Sequence, residues 1–113
     1  IIAFGVIYNS ARIALTERGR ELATTGGAKV VGTQVVAGRA TACVTCHAAD
    51  LAGIERVPPI AGRSPSYIAR QLWDIQQGTR NGPGVQLMKA AIANLTPADI
   101  VSLAAYAASR PSR

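Results

Sequence analysis

A chain of 113 residues is expected to form one domain, burying about two thirds of the surface that its unfolded form exposes. With 49% hydrophobic and 16% charged residues it is neither disordered nor fibrous, and aromatics at 4% leave Ala, Val, Ile and Leu to build a core with room for a bulky apolar cofactor. The net charge is +6, but the arginines are spread along the chain rather than gathered in a stripe with aromatics, so nucleic acid is not the expected partner.

The chain opens on an apolar run, Ile1 to Tyr8, that ends at Asn9 and is far too short to span a bilayer. Residues 1–10 read as the end of an anchor, a signal or a preceding domain, and membrane association through this segment is one option. Packing of the segment on the domain is another. Residues 11–113 form the domain itself. A first helix is expected over about 11–24, with Ile13, Ala14 and Leu22 facing inward. Two β-branched pairs, Val30-Val31 and Val35-Val36, flank Gly32-Thr33 and predict a small β-hairpin within 28–38.

The clearest helix punctuation lies further on. Ser64 is placed to cap, Pro65 suits a first helical position, and Gly78 suits a left-handed stop. Between them Ile68, Leu72 and Ile75 recur at helical spacing and mark a buried face. Three glycines and a proline make 78–85 a loop. Thr96, Pro97 and Asp99 then form a variant capping box, followed by an apolar stripe of Ile100, Leu103, Ala104 and Ala107, and Pro111 cannot continue that helix. The fold class is all-α, with three or four helices and long connections.

The chemistry is concentrated in Cys43-Val44-Thr45-Cys46-His47, which holds both cysteines and the one histidine of the chain. C-x-x-C-H is the spacing of c-type haem attachment. On a helical turn, residues i, i+3 and i+4 share a face, so two thiols can reach the two vinyl groups of one porphyrin edge while the imidazole turns beneath the iron. Three other readings remain beside it. A thioredoxin-type dithiol would need a βαβ context, a zinc site would need further Cys or His ligands, and a disulfide would leave His47 unexplained. With one histidine, bis-histidine ligation within the chain is impossible. Met88, the only methionine, would ordinarily be a core filler; given a haem, it becomes the candidate sixth ligand, since His/Met is a recurrent electron-transfer ligation.

Several further blocks stand in order after the motif: Pro58-Pro59-Ile60-Ala61-Gly62-Arg63, Tyr67 with Gln71-Leu72, Gly78-Thr79-Arg80, Met88, and Leu95-Thr96-Pro97-Ala98-Asp99-Ile100 through Tyr106. In these the chain resembles the class I c-type cytochromes, particularly the small bacterial branch that often occurs as tandem haem domains. The resemblance covers residues from about 11 to the end. It implies a cytochrome c-like fold around one covalent haem c, with Cys43 and Cys46 as thioether anchors and His47 and Met88 as axial ligands. It also implies that the carbonyl of Pro58 accepts a hydrogen bond from His47, and that Gly19 lets the terminal helices cross near Tyr106. Two departures stand out: Ala48 occupies the position where the family usually has Gly, and 26–39 is longer than in the shortest members.

The expected function is electron transfer between redox proteins, such as a dehydrogenase donor and an oxidase or other acceptor. The competing reading is a haem enzyme or gas sensor, which would need an open sixth position; a purely structural haem module is a third. Haem attachment needs reduced thiols outside the cytoplasm, so a bacterial periplasm is the expected location.

Overall fold

The structure, a computed structural model, describes the backbone of residues 2–112 and the side chains of residues 13–28, 32–35 and 37–112. In chain order it comprises α1 (Ile2–Thr25), β1 (Lys29–Val31), β2 (Gln34–Val36), α2 (Val44–His47), α3 (Pro65–Gln77), α4 (Val85–Ile92) and α5 (Pro97–Ser109). The all-α expectation holds. There are five helices where three or four were expected, and the two beyond the three located in the sequence are short ones, α2 around the cysteine motif and α4 around Met88.

The framework is α5 packed against both α1 and α3. Close approach is permitted by Gly19, where a methyl group would overlap the carbonyl of Ser102 and the Cβ of Tyr106. The expected crossing of the terminal helices is therefore present. Among the described side chains of α1, burial begins at Gly19 and continues through Leu22 and Ala23. Leu22 faces inward as expected, whereas Ile13 and Ala14 do not, Ile13 being 58% exposed. They precede the crossing and have no α5 surface to cover them. The helix also begins at Ile2 rather than near residue 11. Asn9 and Ser10 lie within it; inside a helix such residues cost only about 0.5 kcal/mol each, too little to stop one.

The hairpin forms with Lys29 opposite Val36, Val30 opposite Val35 and Val31 opposite Gln34. Helix α3 buries Ile68, Leu72 and Ile75 and stops at a left-handed Gly78, as its sequence predicts. Ser64, however, does not cap it with its side chain; its hydroxyl pairs with Ser66 Oγ at 3.0 Å. In α5 the capping box is complete: Asp99 N–H donates to Thr96 Oγ1 and Thr96 N–H donates to Asp99 Oδ2. The same carboxylate receives Arg39 at 2.8 Å, and Arg18 lies 3.6 Å away. Asp99 thus ties α1, the start of α5 and the segment leading into the cysteine motif.

No single helix among the described residues is long and apolar enough to cross a membrane. Helices α4 and α5 together meet that length and composition, but they bend by 117° and contribute Ile92, Ile100, Leu103, Ala104, Tyr106 and Ala107 to the core.

Candidate haem site

The motif forms one helical turn. His47 N–H donates to the Cys43 carbonyl at 2.9 Å, which brings residues 43, 46 and 47 to one side of α2 as the i, i+3, i+4 spacing requires. Ala48 ends the turn at φ 74°, ψ 159°, a conformation suited to glycine. Cys43 is half-buried and Cys46 exposed, and no disulfide joins them. Desolvation pushes the Cys43 thiol up to about 11. His47 is buried at 7% exposure.

The loop after α2 is folded so that it returns to the histidine. Gly53 N–H donates to the His47 carbonyl, and Ile54 and Val57 exchange backbone hydrogen bonds at 3.2 and 2.9 Å. Gly53 has φ 87°, and a Cβ there would meet Val57 O at 2.6 Å, so this tight return needs glycine. It leaves the Pro58 carbonyl 2.8 Å from His47 Nδ1. A carbonyl only accepts, so Nδ1 carries the proton, the tautomer is fixed, and Nε2 is the ring's remaining donor for a metal.

Two adjoining cavities meet at this histidine. One, of about 490 Å³, is lined by Cys43, Cys46, His47, Val85, Leu87 and Met88 among others. The other, of about 160 Å³, runs inward over Ile60, Ile68, Leu72, Leu103 and Ala107. His47, Pro58, Ile75, Arg80 and Met88 line both. The structure therefore brings all five residues singled out from the sequence, Cys43, Cys46, His47, Pro58 and Met88, to one cleft.

The chemistry of the lining fits a haem. Most of it is apolar, as a porphyrin face requires, and both thiols of the attachment motif line the larger cavity. Besides His47, four polar residues stand at the inner cavity: Arg63, Tyr67, Gln71 and Arg80. Arg80 donates to Gln71 Oε1 at 2.8 Å, and Arg63 donates to the Pro59 carbonyl and lies over the Tyr67 ring. Two guanidinium groups beside an apolar slot are suited to a ligand with carboxylates, as haem is with its propionates. In the sequence these four residues stand among the blocks that carry the family resemblance, with no role of their own. Their signal was present, since 67 and 71 extend the same helical face as Ile68, Leu72 and Ile75.

The alternatives to haem lose ground on the same geometry. Among the described residues, no group of three or more His, Cys, Asp or Glu side chains is placed to hold a metal ion, so a zinc site lacks its ligand set. The hairpin is the only sheet among the described residues, and the βαβ frame of a thioredoxin-type dithiol is absent there.

No protein-family model matches the chain. It is similar to cytochrome c4 of Pseudomonas aeruginosa, 34% identical over 58% of this chain and 34% of that protein. It is 35% identical to a thiosulfate dehydrogenase electron acceptor of Stutzerimonas stutzeri, over 67% of this chain and 32% of that protein. Cytochrome c-554(548) of Halomonas halodenitrificans is 32% identical over 60% of this chain, and the match covers 83% of that protein. Among solved structures, cytochrome c4 of Acidithiobacillus ferrooxidans superposes with a TM-score of 0.68 at 31% identity, over 85% of this chain and 50% of the other. The chain thus spans about a third of the length of the cytochrome c4 sequence it matches.

Proposed function

Because the chain belongs to the class I c-type cytochromes and carries a covalent haem c, we propose that it passes single electrons between redox proteins, with His47 and Met88 as the axial ligands. The observation that carries this reading is the shared cleft: the attachment cysteines, the only histidine and the only methionine all line it. Bound there, haem supplies a one-electron iron couple.

Each residue has a separable task. Cys43 and Cys46 anchor the group through thioethers, and the exposure of Cys46 marks the edge of the site open to a partner. His47 supplies Nε2, held in orientation by the hydrogen bond that Nδ1 donates to the Pro58 carbonyl. Met88 offers a soft thioether from α4, which favours the reduced metal and fills the sixth position. Arg63 and Arg80 receive the carboxylates at the inner end. A filled sixth position supports a carrier over an oxygen- or peroxide-using enzyme.

The relatives named as thiosulfate dehydrogenase electron acceptors support a dehydrogenase as one donor class. Membership of the bacterial c-type cytochromes, whose haem is attached outside the cytoplasm, supports an extracytoplasmic, periplasmic location. Residues 11–113 serve as the haem domain.

The reading is tested by intact mass and visible absorption of protein produced with its haem-attachment machinery. The mass should exceed that of the chain by one haem, the colour should resist acid-acetone extraction, and Cys43→Ala with Cys46→Ala should release it. A colourless protein, or one whose colour extracts freely from the unaltered chain, would overturn it.

A further inference from the structure

We propose that Gln76 is a positioning residue whose carboxamide sets how α4 presents Met88 to the cleft, an inference that rests on Met88 being the sixth ligand. Gln76 Nε2 lies 2.9 Å from the Ile92 carbonyl and 2.8 Å from the Leu95 carbonyl. Both acceptors are carbonyls, so the amide nitrogen, with its two N–H groups, is the end that faces them. Ile92 is the last residue of α4 and its carbonyl lacks an i+4 partner within the helix. Leu95 lies in the turn that joins α4 to α5. One side chain of α3 therefore holds both the end of α4 and the turn that follows it.

The two ends of α4 are held very differently. At its start, Gly84 provides no side-chain cap, and a Cβ at Gly82 or Gly84 would meet open space. At its end, Ile92 is 2% and Leu95 5% exposed, and Gln76 joins them. Met88 stands four residues before Ile92, on the same helical face and only half-buried. The position of its sulfur is thus set from the C-terminal end, and loosening that end lets Met88 leave the cleft more often.

The test uses the full haem-loaded protein in the oxidised state, with imidazole as a competitor for the sixth position. Its apparent affinity rises with the fraction of molecules in which Met88 is away. Gln76→Leu, which keeps bulk and removes both donors, should bind imidazole about tenfold more tightly, equivalent to 1.4 kcal/mol. Gln76→Glu, similar in shape but without donors when ionised, should do the same. Both should retain covalent haem and the resting visible spectrum. Leu22→Ala measures the effect of general destabilisation away from α4, and its imidazole affinity should stay within about twofold of the unaltered protein. The clamp is overturned if both Gln76 variants bind imidazole like the unaltered protein while Met88→Ala binds it far more tightly. It is equally overturned if Leu22→Ala gives the same rise as the Gln76 variants. If Met88→Ala itself binds no more tightly, the ligand reading fails and the clamp falls with it.

Discussion

The guanidinium of Arg39 lies 2.8 Å from Oδ1 of Asp99, a side chain only 5% exposed and sixty residues away in the chain. Burial alone would raise the Asp99 pKa, but hydrogen bonds from Arg39 and Thr96 outweigh it and hold the carboxyl below its ordinary value. A depressed carboxyl pKa contributes stability that is present above the unfolded value, near 3.9, and is lost as pH falls through the lower folded value. Acid unfolding should therefore steepen below about pH 4. Asp99→Asn should lower unfolding stability at neutral pH by about 2 kcal/mol and flatten that acid limb, as read from urea unfolding at several pH values.

Gly19 is the contact on which the framework depends, because Ser102 and Tyr106 occupy the space a side chain would need. Gly19→Ala gains helix propensity of about 1 kcal/mol but must push α1 off α5. The net result should be a loss of about 1–3 kcal/mol, checked by denaturant unfolding.

Ala48 makes the opposite prediction. At φ 74° and ψ 159° it holds a backbone conformation that glycine adopts without strain. Ala48→Gly should stabilise the protein by about 1 kcal/mol or more, raising the unfolding midpoint with no change in covalent haem content. An unchanged or lowered midpoint would show that the turn after His47 is not strained.

The sequence made the long, well-punctuated elements legible for a physical reason: Pro65 and Gly78, or Thr96, Pro97 and Asp99, act on the chain locally. Helix α4 has a glycine at its start and no capping side chain, so local chemistry does not announce it. The start of α1 is likewise unmarked, because Asn9 and Ser10 are tolerated within a helix. Ile13 was misplaced for a different reason: periodicity shows which residues share a face, but not where along the helix the partner surface ends. At the site, Cys43, Cys46 and His47 were legible from spacing alone. The pairing of His47 with Pro58 depends on Gly53 and the Ile54–Val57 bridge, a return no spacing rule encodes; it was available only through family resemblance.

The excess of arginine bears on association with partners. A chain of net charge +6 should be steered toward an acidic redox partner. Stopped-flow reduction by such a partner should slow by roughly tenfold between low and physiological ionic strength, as screening shortens to about 8 Å. Rates that ignore salt would remove charge steering from the account while leaving electron transfer intact.

The central claim is that Met88 closes the iron's sixth position and makes the domain a carrier, and the most direct measurement is the reduction potential of Met88→Ala beside the unaltered protein. A soft thioether favours the reduced metal, so its removal should lower the potential by on the order of 100 mV or more. The weak near-infrared band of sulfur-to-iron charge transfer should disappear with it, and carbon monoxide should bind readily. Equal potentials, with the unaltered protein binding carbon monoxide as easily as the variant, would contradict the account and leave an open haem in its place.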